Sequence, residues 1–179
     1  MPHIEITHDL PGISGLFAQR PDTAVVLSQL AETLLRGPSP LSRGERELIA
    51  AYVSHLNHTD FCAGSHSAFA AAQLDGGTEL VASVLADVDR APVSPLTHAL
   101  LRVAARVQER AAPVDDEVIA KARAEGATDD HIHDTVLIAA AFAMYNRYVN
   151  GLATGVPSDP SYYDAAAQRV VEQGYGDGR

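Results

Sequence analysis

The sequence predicts an all-α protein folded as one compact, single-domain helical bundle. Three observations point there. Apolar residues recur at helical spacing in segment after segment, Gly and Pro cluster between those segments, and no run gives a strong strand signal. With 179 residues, 46% of them hydrophobic and 20% charged, the chain is long enough for one domain with a real core. The expected domain spans 1–179, with an N-terminal arm over about residues 1–20.

Taken in order, Met1–Gly15 reads as an extended or turning arm. Past Pro21-Asp22, the stretch Thr23–Arg36 carries Val25, Val26, Leu30, Leu34 and Leu35 at helical spacing, and Gly37-Pro38-Ser39-Pro40 ends it. Ser42-Arg43-Gly44-Glu45 is a capping box, so a second helix starts there and runs to about Leu56. Asn57–Asp60 makes a tight break. A third helix then carries Cys62, His66, Phe69 and Ala70 toward Leu74, and Asp75-Gly76-Gly77 stops it. Thr78–Asp87 is a further helix. A loop from Pro92 to Pro95 precedes Leu96–Arg110, where Leu100, Val103, Ala104 and Val107 form one apolar stripe. Asp115–Glu125 is short and closes on Gly126, its expected C′ residue. Thr128 caps a long helix, with Asp129 and Asp130 complementing the dipole in its first turn. From Val136 to Met144 that helix is apolar on nearly every face. It should lie at the centre of the fold, and its surplus of apolar surface predicts a homo-oligomer. After the Pro157–Pro160 break, Tyr162–Gln173 is a last amphipathic piece.

Charge and length exclude several classes of partner. Acidic residues outnumber basic ones 23 to 13, for a formal net charge of -10. A protein that grips phosphates needs a basic surface, so no nucleic-acid partner is expected, nor an anionic membrane surface. No apolar run reaches the roughly 18 residues of a membrane-spanning helix. Met1–Leu10 contains Glu5 and Asp9 and lacks the apolar stretch of a signal peptide, so a cytoplasmic location is expected. The single cysteine, Cys62, forms no intramolecular disulfide and agrees with that compartment.

Chemistry concentrates between Leu41 and Ala70. Cys62 lies near the start of its helix, with Thr59 or Asp60 as the cap, where unpaired N–H groups and the positive dipole end favour a thiolate. His66 follows at i+4, so imidazole and sulfur share one face. Glu47 sits on the preceding helix across a short connection, which makes the two helices antiparallel neighbours and brings the carboxylate toward His66. Each residue has a plain structural alternative: a buried thiol, a helix histidine bonded to a carbonyl, a solvated glutamate. His55, His58, Cys62 and His66 fall within twelve residues, a density that also admits a metal site, although no cofactor is expected. Tyr52, His55, Thr59 and Phe61 are candidate pocket residues, Tyr52 and Phe61 reading first as ordinary core. Arg147 follows Asn146 on the apolar long helix, either as a salt-bridge or subunit contact or as a pocket residue that orients a polar substrate. His131 and His133 read as surface.

Leu-Ser-x-x-Glu-Arg-Glu-Leu, a helix, and then Asn-x-x-x-Phe-Cys-x-x-Ser-His together resemble the core motif of the carboxymuconolactone decarboxylase and alkylhydroperoxidase D-like superfamily. That motif is a glutamate, eleven intervening residues, then Cys-x-x-Cys-x-x-x-His. Laid onto this chain it falls on Glu47, Thr59, Cys62 and His66. Phe142 to Val149, Tyr163 and the closing Gly174-Tyr175 resemble the ending of the peroxidase-related branch, so the resemblance runs from about Pro11 to Tyr175. It implies a peroxidatic thiol at Cys62, with His66 and Glu47 relaying the proton. Thr59 stands where the family's resolving cysteine would be, so a thiol reductant would come from outside the chain.

The expected function is therefore a thiol-dependent, antioxidant peroxidase-like oxidoreductase acting on a small hydroperoxide. Two alternatives stay open. One is a decarboxylase, isomerase or biosynthetic tailoring enzyme using His66 and Glu47 for acid–base work on a small carboxylated compound, with or without a metal. The other is a non-catalytic redox-sensing protein on the same fold.

Overall fold

The computed structural model describes residues 1–176. Among them nine helices follow one another with no strand: α1 (Gly12–Gln19), α2 (Pro21–Arg36), α3 (Arg43–Leu56), α4 (Asp60–Ala71), α5 (Gly77–Ala86), α6 (Pro95–Glu109), α7 (Asp116–Ala124), α8 (Asp129–Gly151) and α9 (Ser161–Gln173). No described helix is long and apolar enough to cross a membrane. The all-α prediction holds, and the predicted boundaries fall within a few residues of those observed.

One helix was not foreseen. The arm turns helical at Gly12, with Pro11 extended ahead of it at the N-cap position. Its apolar face of Ile13, Leu16 and Phe17 spans little more than one turn around Gly15, too short a window to betray a helix. Gly12 has a φ of +55°, and a Cβ there would run into the Phe61 ring. The arm can therefore lie directly on α4 only with glycine at this point.

The core centres on α3 more than on α8, against expectation. Ten of the fourteen residues of α3 are buried, but only eight of the 23 in α8. The long helix is apolar around its middle, yet Leu137 and Met144 remain exposed. α3 instead packs against α4, α6 and α8, and α4 packs in turn against α5 and α9. The capping box at its start is present as read: Ser42 Oγ accepts from Glu45 N, and Ser42 N donates to Glu45.

The α3–α4 turn decides where the chemistry goes. His58 N donates to His55 O at 2.9 Å and Thr59 N to Ser54 O at 3.0 Å, the paired bonds of a Schellman C-cap. The left-handed residue of that cap is His58, with φ 52°. This tight reversal lays α4 antiparallel along α3. On its far side, Gly64 leaves room for Tyr163, whose ring a Cβ would meet at 2.7 Å, and so admits α9 closely.

Candidate active site

Glu47 and His66 meet across the α3–α4 pair. Glu47 is 1% exposed, and its Oε2 lies 2.7 Å from His66 Nδ1. The other carboxylate oxygen, Oε1, accepts the Tyr175 hydroxyl at 2.6 Å. Tyr175 follows α9, where Gly174 takes a φ of +80°. Glu32 accepts from Tyr175 N at 2.8 Å and Arg36 donates to Val170 O at 2.9 Å, clamping the chain end back onto α2. Burial, with the adjacent Glu47 charge, holds the Tyr175 hydroxyl well above its ordinary ionisation range, so it stays a donor.

The imidazole has little freedom. Phe142 and Phe69 stand edge-on to it at centroid distances of 4.5 and 5.2 Å, and Tyr175 stacks at 6.3 Å. With Nδ1 committed to Glu47, a neutral His66 carries its proton there and leaves Nε2 as the acceptor. His66 lines a cavity of about 320 Å³, and so does Cys62.

Cys62 departs from the expectation of a ready thiolate. It is buried among Phe61, Val149, Ile13, Tyr162 and Tyr163. Burial pushes its thiol up to about 11, and a hydrogen bond from the Asn146 side chain opposes this only in part. Desolvation outweighs the helix N-terminus, because the dipole is worth at most about 2 kcal/mol whereas full burial can move a pKa by several units. No hydrogen bond joins Cys62 to His66. They share the cavity wall one helical turn apart, so proton exchange between them would need a bridging water or substrate.

Asn146 anchors a polar network behind the thiol. It accepts from Asn57 Nδ2 and donates to Ser54 Oγ, each at 2.9 Å, while Gln108 Nε2 donates to Asn57 Oδ1. Asn150 donates to Thr59 Oγ1 at 2.9 Å. These bonds tie the α3–α4 turn to α8 and thereby set the height of Cys62.

The cavity itself is mostly apolar. Leu10, Ile13 and Phe17 close it from the arm and α1, Leu27 and Ala31 from α2, and Phe142 and Tyr145 from α8. Of the residues singled out in the sequence, Cys62, His66 and Phe61 line it, and Glu47 stands directly behind His66. Four others lie elsewhere. Tyr52 is in the core on another face of α3, near enough to Asp89 and Arg102 to feel their charges. His55 is exposed. Thr59 is buried beneath Asn150. Arg147 points outward and donates to Ala143 O of its own helix, so solvent replaces the partner that its apolar neighbours had suggested. His55 and His58 are exposed while Cys62 and His66 are buried, and no three His, Cys, Asp or Glu side chains converge among the described residues. The sequence reading missed Tyr175 as a hydrogen-bonding partner, the α1 wall and Arg169. A Gly-Tyr pair just past a helix end was the available signal for the first.

Residues 21–106, which hold Glu47, Cys62 and His66, match the model of the carboxymuconolactone decarboxylase family. An uncharacterized peroxidase-related protein from Silicibacter sp. TM1040 has a similar structure, with a TM-score of 0.76 and 25% identity over 86% of this chain and 78% of that one. An uncharacterized peroxidase-related protein with an alkylhydroperoxidase AhpD core, from Ralstonia eutropha JMP134, superposes with a TM-score of 0.77 at 23% identity, covering 89% and 82%. No curated protein matches. The resemblance read from the motif is borne out by the family match and by the shared fold.

Proposed function

We propose that this chain, which carries a carboxymuconolactone decarboxylase family segment over residues 21–106, is a thiol-dependent hydroperoxide reductase. The observation that carries this reading is the His66 ring held against buried Glu47 at 2.7 Å, on the same cavity wall as the only cysteine. Cys62 reacts from its protonated form. As sulfur attacks the distal peroxide oxygen, the thiol proton passes to His66 Nε2 through a water or the substrate. The O–O bond breaks and an S–O bond forms. The departing alkoxide takes the proton from His66 and leaves as an alcohol. Sulfur is oxidised by two electrons to a sulfenic acid and the peroxide is reduced by two. Glu47 stabilises the transient imidazolium, and Tyr175 keeps that carboxylate turned toward the ring. Two molecules of a small external thiol then return the sulfenic acid to thiol, releasing water and their own disulfide, because Thr59 offers no second sulfur.

The test is intact mass after brief exposure to cumene hydroperoxide, followed by peroxide consumption with a small thiol. Cys62 should gain one oxygen and then be restored with turnover, and His66→Gln should slow the first step by about a hundredfold. A thiol that gains no oxygen sinks the reading.

A second reading is favoured by one observation: Cys62 is buried among apolar and aromatic side chains, which push its thiol up to about 11, while the Tyr175–Glu47–His66 chain is complete without it. His66 would then act as acid and base on a small carboxylated compound, with Cys62 as part of the wall. Under that reading Cys62→Ser retains activity and His66→Gln abolishes it.

A further inference from the structure

We infer that the cavity selects an amphipathic monocarboxylate, with Arg169 gripping the carboxylate at the mouth and the apolar walls taking the body. This deepens the proposed function and rests on its reading of the cavity as the substrate site. The argument begins with position on α9. Tyr162, Ala166, Arg169 and Val170 all line the cavity, and their spacing of four, three and one puts them on one helical stripe. Arg169 therefore belongs to the side of α9 that faces the cavity. The acidic residue best placed to neutralise it, Glu172 one turn on, bonds Gln168 instead at 3.3 Å. Among the described residues Arg169 makes no ion pair and no hydrogen bond, and it is exposed.

Charge makes this placement informative. The chain carries a net charge of -10, yet among the described residues no Asp or Glu lines the cavity and Arg169 is the one arginine or lysine that does. A neutral hydroperoxide would need no cation there. An anion with a hydrocarbon body uses both parts of the site. Its carboxylate meets a planar two-pronged donor that is still partly solvated, and its chain replaces water against Phe17, Leu27 and Phe142. The reactive group then lies deeper, toward Cys62 and His66.

The experiment is calorimetric titration of the full chain with hexanoate, octanoate and decanoate, and with octan-1-ol, below micellar concentrations. Octanoate should bind more tightly than octan-1-ol, and affinity should rise about threefold per added methylene until the cavity is full. Arg169→Gln should weaken octanoate by about fivefold and leave octan-1-ol unchanged. Because Arg169 is exposed, the variant folds, and Arg169→Lys serves as a check by keeping the charge and most of the octanoate affinity. Equal octanoate affinity in the natural and Arg169→Gln proteins, or no binding of any carboxylate, overturns the inference. Oxidation of Cys62 in the natural protein by the neutral cumene hydroperoxide is scored separately. Oxidation without carboxylate preference sinks the inference and spares the peroxidase reading. Carboxylate binding without oxidation does the reverse.

Discussion

The Tyr175 hydroxyl reaches Glu47 from the far end of the chain at 2.6 Å, and its loss leaves one oxygen of a buried carboxylate without a donor. Tyr175→Phe should therefore cost about 1–3 kcal/mol of stability in chemical denaturation. If Tyr175 positions the relay, the same variant should also shift the pH profile of Cys62 oxidation, which a purely structural role would leave unmoved. Cys62 gives the second prediction at this scale. Its folded thiol ionises near 11 against an ordinary 9.0, so the unfolded chain releases its proton first as pH rises. The native thiol's contribution is complete below pH 9 and is lost as pH climbs through 11, for a total of roughly 2–3 kcal/mol. Denaturation at pH 8 and pH 11 should show this loss in the natural protein relative to Cys62→Ser. A parallel pH dependence in the two proteins would mean that the thiol is better solvated than its surroundings imply.

The α3–α4 hairpin is the element that builds the site, and its turn carries a stored cost. His58 occupies the left-handed position of the Schellman cap at φ 52°, where a side chain costs about 1 kcal/mol that glycine avoids. Its imidazole is exposed and makes no hydrogen bond among the described residues, so His58→Gly should raise stability by about 0.5–1 kcal/mol, seen as a higher melting temperature. A drop instead would show that His58 holds the turn in some other way. The bonds from Asn57, Asn146 and Asn150 pin the same turn to α8, so rigidity here is transmitted directly to the height of Cys62. α9 has a comparable task at the other wall, because Gly174 bends the chain so that Tyr175 drops behind His66.

For the whole molecule the open question is assembly. Leu137 and Met144 stand 41% and 43% exposed on α8, seven residues apart and so on one face. The expectation of a homo-oligomer rests on that uncovered apolar face. Light scattering at micromolar concentration should give a mass above that of one chain, and Leu137→Glu with Met144→Glu should reduce it to the monomer. A natural protein that already scatters as a monomer would remove the expectation and leave the two residues as ordinary exposed apolar side chains.

Local sequence was enough for every described helix but α1, and for placing Glu47, Cys62 and His66 on one hairpin. Caps, glycine stops and 3.6-residue periodicity depend on neighbours within a turn or two, and so do the Cys62–His66 spacing and the short loop that returns Glu47 to them. Those relations survive in any fold that keeps the hairpin. What only tertiary structure decided are the long-range terms. Tyr175 reaches Glu47 across 128 positions, and α1 and Arg169 meet over one cavity from opposite ends of the chain. Arg147 could turn to solvent because the neighbours of α8 cover its other side. The thiol's ionisation belongs with these, since a helix start speaks for a thiolate locally while burial by Phe61, Val149 and Tyr163 raises it. Desolvation sums over everything packed around a group, and that sum exists only once the chain has folded.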